Sequence, residues 1–229
     1  MRRRTWGKFC AGLGLIALAF LSIDCGSSSG GAKLRLVNGT PDESSLDLLV
    51  DTKSFVSGVG YGAASAYTSI SSGSRQLQIE ATGTTSVLID TTANVGSGDN
   101  LSLITLNYSS NISSIVLTDD NSAPTSGDFK LRIVNASPGM GAQDVYVVTF
   151  GTNINSVDPT FSSLGFGSVA AYSTLAAGDY EVFFTPPGQK VPINLDSGEV
   201  SFSAGQIRTM LALNNPVGAF MTTVLSDAN

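Results

Sequence analysis

The residues of this chain that could do chemistry are few, and most of them are acids. None of the 229 residues is a histidine. Ser-His-Asp and Cys-His nucleophilic sites therefore cannot be assembled, and histidine-ligated zinc, copper, iron and haem are excluded with them. No serine lies three residues before a lysine, so an S-x-x-K nucleophile is absent. Gly58-Val59-Gly60-Tyr61-Gly62 is glycine-rich, but no helical pattern follows it, and it reads as a turn or strand bulge rather than a phosphate loop. A glycosidase needs only two carboxylates. A secreted carboxylate-dependent enzyme acting on polysaccharide is thus the enzymatic alternative, although no spacing among the acids marks a pair. Asp119-Asp120-Asn121 offers the hard oxygens that calcium takes, and the same turn reads equally as a solvated acidic linker. Asp47 and Asp144, each beside an apolar strand, are either carboxylates accepting turn N–H bonds or half of a metal or ligand site.

The amino terminus reads as an address. Arg2, Arg3, Arg4 and Lys8 precede an uncharged, mostly apolar run from Phe9 to Ile23. That run is short for a spanning helix, which needs about 20 residues, and has the length and flanks of a secretory signal. Ser22-Ile23-Asp24-Cys25 follows, and then a Ser/Gly tract through Gly31. This stretch resembles the lipobox of bacterial lipoproteins, in which the cysteine becomes the lipid-bearing first residue, with Asp24 standing where that pattern has a small residue. Ordinary secretory cleavage within the tract is the other reading. Cys10 falls in the removed segment and Cys25 carries the lipid, which leaves the body without cysteine and without a disulfide. Loss of residues 1–24 removes four basic residues and one acid and takes the formal charge from −6 to −9. Nucleic acid is not a partner for such a body, and its link to a membrane is the N-terminal lipid.

The remainder is a duplication. Lys33-Leu34-Arg35-Leu36-Val37-Asn38-Gly39-Thr40-Pro41 returns 97 residues later as Lys130-Leu131-Arg132-Ile133-Val134-Asn135-Ala136-Ser137-Pro138, and Asp47 keeps that offset to Asp144. Tyr67 and Gly73 return as Tyr172 and Gly178 at 105, and Val116–Asp119 as Val224–Asp227 at 108. The growing offset places insertions in the second copy, chiefly around Gly151 to Ser163. Leu34, Leu36, Leu131 and Ile133 alternate with Lys and Arg, the pattern of strands with one buried and one wet face. About seven short strands per copy, broken by Gly, Ser, Asn and Pro, predict an all-β chain: two tandem immunoglobulin-like antiparallel β-sandwich domains after a signal peptide. The expected divisions are 1–24 signal peptide, 25–32 tether, 33–121 first sandwich, 122–129 linker and 130–229 second sandwich. Pro41 and Pro138 would fix the turn after the first strand, Gly73 and Gly178 would supply positive φ at a hairpin, and Tyr67 and Tyr172 would bury a ring while the hydroxyl seeks a partner. The linker is similar to the Asp-Asn-Ala-Pro junctions of cadherin repeats, with Asp128 and Asp42 or Glu43 as further oxygen donors for calcium.

The repeated Asn-[Gly/Ala]-[Thr/Ser]-Pro at Asn38 and Asn135, the Asp of the next strand, the Gly-aromatic-Gly and the Tyr-x-x-[Ile/Leu]-x-x-Gly occur in the same order in both copies. Together they resemble the bacterial family called domain of unknown function 4397. The resemblance implies a secreted or cell-envelope setting, often with duplicated domains behind a lipoprotein signal, and it brings no catalytic residues. The expected function is a non-enzymatic envelope protein held by lipid at Cys25, acting as a structural or adhesive module or binding an envelope protein or glycan. Gly26 after the cysteine points to the outer membrane, and no cofactor is expected beyond calcium at the linker.

Overall fold

A computed structural model describes Met1 and residues 31–228. The signal segment, Cys25 and most of the tether lie outside the described residues. The first half runs β1 (Ala32–Val37), β2 (Ser45–Val50), β3 (Lys53–Gly60), β4 (Thr68–Ile70), β5 (Gly73–Ala81), β6 (Val87–Val95), β7 (Asn100–Leu106) and β8 (Ser113–Thr118). The second half runs β9 (Asp128–Asn135), β10 (Gln143–Thr149), β11 (Phe161–Leu164), β12 (Val169–Ala176), β13 (Gly178–Thr185), β14 (Leu195–Asp196), β15 (Val200–Phe202), β16 (Ile207–Asn214) and β17 (Phe220–Ala228). Each half holds two sheets. In the first these are β4-β1-β7-β8 and β3-β2-β5-β6; in the second, β12-β9-β16-β17 and β11-β10-β13-β14, with β15 also on β13. The two topologies are the same, except that the continuous β6 is replaced by β14 and β15 around Ser197–Glu199. The chain is all-β, and most pairings are antiparallel. One pair in each half is parallel: β1 with β7, and β9 with β16.

Alternation along the strands sorts side chains into three apolar layers. Leu34, Leu36, Leu101 and Leu103 meet Leu46, Leu48, Leu77 and Ile79 between the first two sheets. Phe129, Leu131, Ile133 and Met210 meet Val145, Val182 and Phe184 between the last two. A third layer joins the halves: Val37, Ile104 and Leu106 pack with Val134, Leu211, Leu213 and Leu225. The order in space is therefore sheet β3-β2-β5-β6, then β4-β1-β7-β8, then β12-β9-β16-β17, then β11-β10-β13-β14.

This third layer corrects the expectation of one wet face on the first strand of each copy. The alternating partners of Leu34 and Leu36 point at the other half, and Arg35 and Arg132 are 2% and 3% exposed. Only Lys33 keeps the solvent side. The structure also adds β3, which the sequence pattern did not reveal. Its Gly58 has φ +71° and breaks the alternation, and the strand survives as an exposed edge on β2. The insertion between β10 and β11 has a place of its own. Ile154 and Val157 roof Tyr146 and Phe183 on the outer face of the last sheet.

Candidate functional site at the junction of the halves

The motif residues converge on two places. The first is the turn after the first strand of each half. Asn38 sits at the end of its strand with its side chain turned inward. Its Nδ2 donates to the carbonyls of Glu43 and Val59, and its Oδ1 accepts from the N–H of Thr40. Asn135 repeats this with Gly141, Leu164 and Ser137. The backbone carbonyls of the two asparagines accept from Gly62 and Gly167, both at 2.8 Å. Those glycines lie at φ +71° and +73°, the left-handed region where a Cβ is costly. Pro41 and Pro138 each follow the turn residue that bonds back to this asparagine. Each motif is thus a buried amide stapling three loops, with its hydrogen-bonding capacity spent.

Asp47 and Asp144 act on neighbouring turns. Asp47 accepts from the N–H of Gly58 at 2.7 Å and the hydroxyl of Thr82 at 2.6 Å. Asp144, buried, accepts from the N–H groups of Ser163 at 2.8 Å and Gly188 at 2.7 Å. Gly73 and Gly178 open β5 and β13 with φ +109° and +158°.

The second place is the interface itself, and its geometry is reciprocal. The guanidinium of Arg35 donates through Nε to Ser102 at 2.7 Å, through one terminal nitrogen to the Ser226 carbonyl at 2.7 Å, and through the other to the carboxylate of Asp227. Arg132 donates to Thr209 at 3.0 Å, to the Thr118 carbonyl at 3.3 Å and to Asp119 at 2.5 Å. Each arginine therefore grips the terminal aspartate of the other half. The remaining carboxylate oxygens are closed from within their own half. Tyr67 and Ser102 donate to Asp119 at 2.6 and 2.7 Å, and Tyr172 and Thr209 donate to Asp227, both at 2.6 Å. Each tyrosine ring also carries its own arginine, with 4.6 Å from guanidinium carbon to ring centroid in both halves. Arg132 lies 3.9 Å from Asp227 as well, so the two ion pairs touch.

The electrostatics follow from burial. Two cations and two anions cancel, and the side chains of Asp119 and Asp227 are fully covered. Burial pushes both tyrosine hydroxyls above their ordinary range. For Tyr67 the hydrogen bond to Asp119 adds to this, and for Tyr172 the charge of Asp227 does. At the rim, Tyr61 donates to the carbonyl of Asn214 at 2.5 Å, and burial pushes its pKa up to about 12. Such an arrangement fixes geometry: the two guanidinium groups and the two carboxylates are spent on one another and on the hydroxyls around them.

The three residues read as a calcium turn are separated in this arrangement. Asp119 faces inward to Arg132. Asp120 points outward, held by Lys130 at 2.7 Å and by Ser122, and Lys130 holds its carboxyl down at about 2. The Oδ1 of Asn121 is buried without a partner. A cation bound by both carboxylates would have to displace Arg132 and Lys130, and among the described residues no cluster of three acids stands ready to hold a metal. The sequence reading missed the arginines. Their signal was present: Arg35 with Arg132, and Asp119 with Asp227, recur as opposite charges at the two ends of each copy.

Comparison with known proteins adds a sequence family and some structural likeness. The Bacillus anthracis TIE protein is 10% identical with a TM-score of 0.26; the alignment covers 84% of this chain and 34% of that one, so this chain spans about a third of its length. A family 26 carbohydrate-binding module of Eubacterium rectale Amy13K, solved with maltoheptaose, is 11% identical with a TM-score of 0.26, covering 86% and 97%. A family 41 carbohydrate-binding module from streptococcal virulence factors is 11% identical with a TM-score of 0.28, covering 84% and 96%. No curated protein matches the sequence. The family model for the domain of unknown function DUF4397 matches residues 32–146, from β1 through the linker into β10, and the chain belongs to that family.

Proposed function

We propose that this protein is a non-enzymatic, lipid-anchored module of the cell envelope, in which two β-sandwiches act as one stiff body that bears structure or presents a binding surface to an envelope partner. The observation that carries the reading is the reciprocal grip of Arg35 on Asp227 and of Arg132 on Asp119. It commits these four charged residues to holding the two halves together, which supports a structural role for them.

Two measurements test the proposal. Wild-type protein should take a fatty-acid label and partition into detergent, and Cys25→Ser should lose both while melting as wild type does. Solution scattering of the full chain should fit one rigid body at low and high salt, because the grip is buried and screened little. Unlabelled protein in the soluble secreted fraction would remove the anchor. A scattering profile that needs two independently moving domains would remove the stiff body.

A further inference from the structure

Deepening the reading of a partner-binding module, and resting on it, we propose that a groove at the tether end of the first sandwich is a saccharide site that takes a sugar unit bearing a carboxylate. The groove lies between the β2–β3 turn and the β4–β5 turn and has a volume of about 280 Å³, near the lower end for ligand pockets. Its apolar floor is Val50, Phe55 and Ile70; its rim carries Lys53, the hydroxyls of Ser69 and Ser71, and the Arg75–Asp51 pair.

The two copies differ at this end. In the second half the same end is plugged by aromatic rings. Phe129 stacks on Phe202 with centroids 4.4 Å apart, and Tyr180 meets Phe129 edge-on at 5.2 Å. By the repeat offset and by strand register, the counterparts in the first half are Ala32, Val95 and Arg75. The Tyr180 hydroxyl donates to the Ala176 carbonyl, and Arg75 Nε donates to the equivalent Ser71 carbonyl. The backbone frame is thus retained while two rings become an alanine and a valine and the third becomes a guanidinium. Of the three counterparts, Arg75 lines the groove, while Ala32 and Val95 stay buried in the core behind it.

The lining sets the ligand class. Each guanidinium nitrogen of Arg75 already donates once, to Ser71, Asp51 or Ser72, which leaves two of its five N–H groups beside the groove. The ammonium of Lys53 and the hydroxyls of Ser69 and Ser71 make no hydrogen bond or ion pair to the described residues. An apolar floor with a hydroxyl rim suits a pyranose, which has a C–H face and a polar edge. Lys53 and Arg75 against Asp51 leave one net positive charge on the rim, which suits one carboxylate. Ala32 pairs with Ile70, so the groove sits where the chain enters the fold from its tether, and a lipid-held protein would turn it toward the envelope.

The test uses the full chain in detergent, titrated calorimetrically with trigalacturonate, maltotriose and inorganic phosphate. Trigalacturonate should bind, and added salt should weaken it. Lys53→Ala should reduce its affinity by about tenfold or more, the loss of one charge-assisted hydrogen bond. Ser69→Tyr, at an exposed edge position, should roof the groove and abolish binding. Both variants should melt as wild type does. Absence of trigalacturonate binding, equal binding of maltotriose or phosphate, or unchanged affinity in both variants would overturn the proposal. Labelling at Cys25 and the scattering profile would be unaffected by any of these results, so failure here leaves the anchored stiff body standing.

Discussion

Removing one arginine from the junction tests the reciprocal grip most directly. Arg35→Met keeps most of the side-chain volume and deletes the guanidinium. The Asp227 carboxylate then stays fully covered with the hydroxyls of Thr209 and Tyr172, both at 2.6 Å, and with Arg132 at 3.9 Å. Breaking a buried ion pair by removing one partner costs about 3–5 kcal/mol. The residual donors and the second arginine place this case near the lower end, at about 3 kcal/mol. For a chain of this size that lowers the melting temperature by about 6–12 °C. The mirror variant, Arg132→Met, should cost more. It strands Asp119 with only the hydroxyls of Tyr67 and Ser102, and Arg35 is not within 4.0 Å of that carboxylate. Adding Asp227→Asn to Arg35→Met removes the stranded charge, so the double variant should be more stable than the sum of the singles predicts, by about 1–3 kcal/mol. Urea unfolding followed by circular dichroism reads all of these. A loss below about 1 kcal/mol for either single variant, or strict additivity in the cycle, would refute the view that these charges are buried and mutually dependent.

Three further outcomes are expected. Tyr67 and Tyr172 are held neutral in the folded protein, so the folded state binds more protons than the unfolded chain once the pH passes the ordinary tyrosine value of about 10. Their stabilisation is complete below that pH and is lost as the pH rises above it. The urea midpoint of wild type should fall through this alkaline range, and a Tyr67→Phe, Tyr172→Phe double variant should show a shallower fall. Gly39→Ala should destabilise by about 1–3 kcal/mol in the same assay, because a Cβ there would sit 2.3 Å from the carbonyl oxygen of Thr105. Asp120→Asn should cost under about 1 kcal/mol at neutral pH, since its pair with Lys130 is half open to water. The pair's small contribution is present above the unfolded carboxyl value and should fade only as the pH falls toward 2, which an acid titration of the melt would show.

Much of the fold was legible in the strands, and the reason is local. Leu34 and Leu36, or Leu46 and Leu48, alternate with polar residues, and two-residue periodicity needs no knowledge of the rest of the chain. Arg35 was misread for the same reason. A charge alternating with leucine looks like a wet face, and only a partner 192 residues away makes it a buried one. The strand β3 was hidden by its own composition. Lys53, Ser54, Ser57 and Gly58 lie on an exposed edge, where nothing demands apolar alternation. The parallel pairing of β1 with β7 has no local signature at all, because it is set by which strand fills the middle of the sheet. The groove was invisible because its lining comes from two separate turns, around Asp51 and around Ser71, that only the fold brings together.

The place of β1 in its sheet has a mechanical consequence. The strand nearest the tether is not an edge. It lies between β4 and β7, and it runs parallel to β7 over five residue pairs, from Lys33 with Asn100 to Val37 with Ile104. A pull on the amino terminus along the strand axis would load the hydrogen bonds of that ladder side by side, in shear, rather than open them one after another like a zip. Beneath the ladder, Leu34 and Leu36 are locked into one core while Arg35 and Val37 are locked into the layer shared with the other half. Extraction of the first strand would therefore break two cores and an ion pair together. A chain built this way should resist tension at the point where an anchored protein would feel it, and should yield in a single abrupt step when stretched from that end.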